Sequence, residues 1–180
     1  MIDRNRIVAA IATACAGLAL ASAAEAVDLR SWDMKINDVT KRFIVLATFN
    51  SEAVLDKETQ LVWQRSPSAT LTTQIQAKTF CADRVIAGRR GWRLPSIQEL
   101  SSLADPMKPN GVLALTFGHP FKGVKLNGYW SATRYINYTG ATSDSAYGIN
   151  FQGGGNSFTL SALSSLNYWC VRGGGPMSEY

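Results

Sequence analysis

Histidine occurs once in this sequence of 180 residues, at His119, and cysteine three times. A three-histidine zinc site cannot be built from that stock, nor can a cluster held by four cysteines. Acidic residues are just as scarce where a cation would need them: from Asp105 to Trp169 only Asp144 joins Asp105 itself. Calcium takes about 6–8 oxygen ligands, usually with several carboxylates close together, so calcium-dependent binding is not expected. A hydrolase needs a nucleophile with a base, or a carboxylate pair. The one imidazole, His119, stands directly before Pro120 in a turn-like segment and reads as a structural histidine. No cofactor is expected. What the chain does have is apolar content, 46% against 17% charged, which is enough to bury a core and excludes disorder as the main state. Collagen, coiled coil and multispan membrane protein are excluded by the same composition. At about 100–200 residues per domain, one domain is expected.

The long uncharged run is at the start. Arg4 and Arg6 lead into Ile7 to Ala24, rich in alanine, and then small residues recur as Ala21-Ser22-Ala23 and Ala24-Glu25-Ala26. This reads as a signal peptide, residues 1–26, cleaved after Ala26. A membrane anchor is the weaker reading: the run approaches the roughly 18–20 residues a span needs, but alanine dominates it. A lipoprotein signal at Cys15 is weaker still, because apolar residues continue past it. Cleavage removes two basic and two acidic residues, so the +5 charge belongs to the mature chain. It also removes Cys15 and leaves Cys81 and Cys170. In an exported chain two cysteines point to one disulfide, and the protein is expected in the periplasm, outside the cell or at its surface. The alternative, two free thiols serving catalysis, would need a base and a lowered thiolate pKa that the local sequence does not supply.

Arg42 to Phe49 is largely β-branched or aromatic and predicts a buried strand. Val54-Leu55-Asp56 and Leu61-Val62-Trp63 flank the polar turn Lys57-Glu58-Thr59 and predict a hairpin. Thr73 and Gln76 have the spacing of a capping box, opening a helix with Ala77, Cys81 and Val85 on its inner face and Gly88 as its stop. Ser96 and Glu99 open a second, short helix ended by Asp105-Pro106. Residues 105–128 are rich in Pro, Gly and Asn yet carry Leu113, Leu115, Phe117 and Phe121, the profile of a long ordered loop. Strands resume at 129–134, 146–152, 157–161 and 168–172, with Gly153-Gly154-Gly155-Asn156 as a turn. Cys170 falls on the last strand, so the disulfide would staple the first helix to it. The plan is α+β: two helices packed on antiparallel sheets, with a long loop region.

The blocks Val54-Leu55-Asp56-Lys57-Glu58-Thr59-Gln60-Leu61-Val62-Trp63-Gln64, Gly91-Trp92-Arg93-Leu94-Pro95-Ser96, Gly118-His119-Pro120-Phe121, Tyr129-Trp130-Ser131-Ala132-Thr133 and Tyr168-Trp169-Cys170-Val171-Arg172-Gly173-Gly174 occur in order. This ordered set resembles the bacterial Lcl C-terminal-like domain family, which includes the C-terminal domain of the Legionella collagen-like adhesin. The resemblance covers roughly residues 40–175, with 27–39 as a lead segment and 176–180 as a tail. It implies a C-type-lectin-like fold whose long loop region displays a binding surface, and a partner that is an extracellular glycan or surface protein. The fold it implies is shared with formylglycine-generating enzymes, but fold does not carry function that far. One departure is Gln60, where the family usually has glycine, and a different turn geometry is expected there.

Charge remains as the functional lead. Arg84, Arg89, Arg90 and Arg93 follow the first helix, while Lys122, Lys125 and Arg134 flank the long loop. Arginine and lysine meet carboxylate and sulfate with charge-assisted bonds, which fits an anionic polysaccharide. The alternative is a solvated basic face. Lys122, Lys125, Arg134, Tyr135 and Tyr138 are the candidate ligand contacts. Trp92-Arg93-Leu94-Pro95-Ser96 and Tyr129-Trp130 are expected to serve core and cap. Export argues against nucleic acid as a partner, and no membrane span is expected after cleavage. The expected function is a non-enzymatic binding module, with an accessory subunit of a cell-surface assembly as the alternative and an enzyme as the weakest option.

Overall fold

In the computed structural model of the chain, residues 35–136, 140 and 142–173 are described. The signal peptide, most of the lead segment, Tyr138 and the tail therefore lie outside the described residues. Asp38 caps a four-residue helix, α1 (Val39–Arg42), by accepting from the Thr40 backbone N–H. The expected strand over Arg42–Phe49 is cut to β1 (Phe43–Val45), because the chain then winds into a 3-10 turn at Ala47–Phe49. Arg42 is buried at the end of α1 with a matching acid: its Nε and Nη2 bond both Asp56 oxygens at 3.0 and 2.8 Å. The hairpin β2 (Ala53–Asp56) and β3 (Leu61–Gln64) forms with Ala53 opposite Gln64 and Asp56 opposite Leu61. Leu61 and Trp63 are buried in alternation with half-buried Val62 and Gln64, as a strand period of two requires.

Gln60 sits in the turn between β2 and β3. It holds φ +59°, the left-handed conformation glycine would supply, and its Nε2 donates to the Lys57 carbonyl at 2.6 Å. Gln60 is thus a non-glycine residue in a conformation that costs about 1–2 kcal/mol.

Two strands carry no signal that the sequence could show. β4 (Ser68–Thr72) is polar and largely exposed, and β5 (Trp92–Arg93) is two residues long, so neither has a readable period. Both capping boxes are present, Thr73 with Gln76 on α2 (Gln74–Ala82) and Ser96 with Glu99 on α3 (Ile97–Leu103). Among the described residues three helices stand where two were expected. α2 ends six residues before Gly88, so Ala77 and Cys81 are buried but Val85 is half exposed.

After residues 104–127, which hold no long element, come β6 (Gly128–Ile136), β7 (Thr142–Asn150), β8 (Asn156–Ser161), β9 (Leu166–Tyr168) and β10 (Val171–Arg172). They make two five-stranded sheets, β1-β2-β3-β10-β5 and β4-β9-β6-β7-β8. Pairing is antiparallel except for one parallel contact of β6 with β9, Tyr129 opposite Asn167. The strand expected at 168–172 is thus split between sheets, and Trp169-Cys170 is the passage from one to the other. The long loop is tied down by bridges from Ala104 to Leu115 and from Leu113 to Gln152. Gly155 in the β7–β8 turn presses on this loop's root, where a Cβ would collide with Ala104.

The core has two parts. One gathers Trp63, Leu100, Leu103, Phe121, Tyr129, Phe151 and Trp169. The other gathers Trp92, Leu94, Trp130, Tyr168 and the disulfide between Cys81 and Cys170, whose Cα atoms lie 5.4 Å apart. The cysteines are therefore bonded, and both are fully buried. Tyr129 and Trp130 have no exposure, so they are core residues and not a surface platform. No helix among the described residues is long and apolar enough to cross a membrane.

Replacing both bonded cysteines with alanine should lower unfolding free energy by about 2–4 kcal/mol, because the bridge closes a long loop, and denaturant melts of both forms check it. Gln60→Gly should raise stability by about 0.5–1 kcal/mol through relief of the left-handed residue, while Gln60→Ala should not. A thermal melt of the two variants separates them.

Candidate functional site

Four of the five ligand contacts expected from charge and aromatic placement lie among the described residues. Arg134 is exposed near the end of β6, opposite Ala146. Tyr135 is half-buried, its ring 5.9 Å from that of Tyr147. Lys125 is exposed before the start of β6, where its backbone N–H donates to Tyr129 Oη at 2.7 Å. Tyr138 lies outside the described residues. Lys122 lines a concave site.

That site is a groove of about 510 Å³ lined by Asn50, Glu52, Gln64, Arg65, Arg84 and Lys122, with Ser51, Ser66, Val85 and Ile86 completing it. Four separate segments build it. Asn50 and Ser51 turn the chain with φ +53° and +59°, which brings Glu52 beside the end of β3, where the Arg65 N–H bonds the Glu52 carbonyl at 2.8 Å. The segment after α2 supplies Arg84. The long loop supplies Lys122, whose N–H bonds the Arg65 carbonyl at 2.9 Å. Arg65 also clamps this wall from its side chain, donating from Nε to the Pro120 carbonyl at 3.0 Å and from Nη1 to the Ser51 carbonyl at 3.1 Å.

The cations of the groove are not ion-paired. Among the described residues, no carboxylate lies within ion-pair distance of Arg65, Arg84 or Lys122. Arg84 is held only by a long 3.4 Å bond from Nη2 to Tyr168 Oη, and its buried Nε has no partner. Gln64 Oε1 is likewise buried without a donor. Glu52 is exposed on the rim.

Arg89 and Arg93 of the basic run have structural employment. Arg93 forms a two-pronged pair with Glu99 at 2.7 and 2.6 Å and bonds the Gly173 carbonyl at 2.9 Å, joining α3 to the chain after β10. Burial alone would raise the Glu99 carboxyl, but bonds from Arg93 and the Ser96 N–H outweigh it and hold the group below its ordinary range. Arg89 donates to the Thr48 carbonyl and lies 4.5 Å over the Phe49 ring. Arg90 is exposed, and its carbonyl accepts from Arg172. A second cavity, about 550 Å³ beside α1 and α3, is lined by Arg42, Glu58 and Asp105. Its arginine and acids are paired, Arg42 with Asp56 and Glu58, and Asp105 with Lys108, while Lys35 also lines it.

His119 is half-buried with its ring 5.9 Å from Phe121, and burial holds the imidazole below its ordinary pKa. Its Nδ1 has no partner. It does not line the groove. Glu52, Gln64 and Arg65 are site residues that sequence reasoning did not single out. Nothing local marks them, because only the fold brings positions 52, 65, 84 and 122 together.

Compared with known families, the chain matches the model of the Lcl C-terminal domain over residues 52–172. No curated protein matches the chain.

The division between paired and unpaired arginines is testable by stability alone. Arg93→Ala should cost about 1–3 kcal/mol, since it leaves a half-buried carboxylate unpaired. Arg84→Met and Lys122→Met should each stay within about 0.5 kcal/mol of the parent in urea unfolding.

Proposed function

The chain belongs to the Lcl C-terminal domain family, and from that premise we propose that it is an exported, non-enzymatic binding module with a C-type-lectin-like fold. It recognises an extracellular or cell-surface glycan of acidic character, without calcium or any other cofactor. The observation that carries this reading is the groove with three cations and no ion pair among the described residues. Three cations facing one concavity without an ion pair repel one another, and an external anion would relieve that repulsion. Export is supported by the buried disulfide, which persists in oxidising compartments.

Binding of this kind rests on charge-assisted bonds at a partly exposed site, so it weakens as salt rises. An array of acidic glycans probed at two salt concentrations should show retention at low salt that falls at high salt. Combining Arg65→Met, Arg84→Met and Lys122→Met should reduce that retention at least about tenfold, the equivalent of one lost charge-assisted bond. Absence of retention on every acidic glycan at low salt overturns the reading.

A second reading has its own observation. In the long loop Met107 is 87% and Phe117 90% exposed, unusual for large apolar side chains. They favour docking of a protein, as an accessory subunit of a cell-surface assembly would use. Binding of that kind resists salt, so the same two-salt comparison separates the readings.

A further inference from the structure

The groove holds unmet groups of both kinds. Arg65, Arg84 and Lys122 need acceptors of negative charge; the Glu52 carboxylate on the rim needs donors. No hydrogen bond or ion pair engages the Glu52 carboxylate among the described residues. A ligand that is only a dense array of anionic oxygens meets the cations but is repelled by Glu52. A neutral sugar meets the acceptors and leaves three cations without an anion.

Resting on the acidic-glycan reading above, we propose that the groove is a subsite for a uronate-type sugar unit, in which one carboxylate is flanked by free hydroxyls. The carboxylate goes to Arg84 and Lys122, with Arg65 behind them. Arg84 is the arm suited to move toward it: its Nη2 bond to Tyr168 is long and its Nε is unpartnered, so little is lost when the guanidinium turns to a planar acid it can meet with two parallel bonds. Arg65 is the fixed element, its Nε and Nη1 already holding Pro120 and Ser51 in place. The flanking hydroxyls donate to Glu52, which selects against crowded negative charge while rewarding O–H groups. The volume of about 510 Å³ suits a short stretch of sugar and not a bulky partner.

The sign of the effect at Glu52 is the test. Affinities of the folded chain for three probes are measured by calorimetry at fixed salt: an oligogalacturonate, dextran sulfate, and polyglutamate, which has carboxylates but no hydroxyls. The parent should prefer the oligogalacturonate. Glu52→Ala should weaken oligogalacturonate about fivefold and tighten dextran sulfate about twofold, the first from a lost hydroxyl acceptor and the second from lost repulsion. Glu52→Gln, which keeps an acceptor oxygen, should recover most of the oligogalacturonate loss. Glu52 is exposed on a turn, so both variants should fold, and matched melting curves establish that. If Glu52→Ala tightens all three probes alike, or if dextran sulfate or polyglutamate binds the parent as well as oligogalacturonate, the uronate subsite is overturned while acidic-ligand binding stands. If none of the three binds and the acidic-glycan array is also blank, both fall together.

Discussion

Everything in this domain depends on a five-residue passage. Between Tyr168 and Arg172 the chain leaves one sheet and enters the other, and the two residues at the crossing are fixed by different forces. Trp169 is packed edge-on by Trp63 and Phe121, with Phe151 and Tyr129 also within 6.1 Å, and its Nε1 donates to the Gln64 carbonyl at 2.6 Å. Aromatic contacts of this geometry add to the area they bury. Cys170 is tied covalently to α2. The two core clusters meet at this pair, one centred on the indole and the other on the sulfur. Without the crossing, β10 would not reach its place between β3 and β5, and β5 would have no neighbour in the first sheet.

The same passage sets the floor of the groove. Gln64, held by the Trp169 indole through its carbonyl, is the last residue of β3, and Arg65 follows it into the wall. Tyr168, the residue before the crossing, is the only protein partner of the Arg84 side chain among the described residues. A rigid core thus ends, at its surface, in a set of charges that it positions and does not neutralise. The contrast with Arg42 and Arg93 is chemical. Those two serve the fold because acids were placed against them, whereas Arg65 serves it only by bonding carbonyls, which fixes its position and preserves its charge.

Elements with a local signature are legible in the sequence. The two capping boxes, the β2–β3 hairpin, the triple-glycine turn and the cysteine pair each announce themselves within a few residues or by count. What cannot be read has no such signature. β4 is a polar strand whose place comes from pairing with β9, nearly a hundred residues away. The break at Trp169-Cys170 looks like continuous strand, since buried residues run unbroken from Asn167 to Val171. At Gln60 the residue type points to a different turn, while the hairpin register on either side imposes the left-handed one. The candidate site is legible only in part. Lys122 and Arg84 stand out by charge, but charge density along a chain treats Arg84 and Arg93 alike, and only three-dimensional pairing tells them apart.

The covalent link between positions 81 and 170 also decides how the domain would carry a mechanical load. A pull on the two ends of the chain travels along the backbone to Cys81, crosses through sulfur to Cys170 and leaves by β10. Residues 82–169, which include α3, the long loop and β6 to β8, are bypassed and cannot be drawn out while the bond is intact. The extension available to the stretched domain is limited to the short stretches outside that bridge, chiefly β1 to β4 and α2. For a module tethered at one end and holding a ligand on its surface, tension would reach the Glu52 and Arg65 wall of the groove before it reached the wall bearing Arg84 and Lys122.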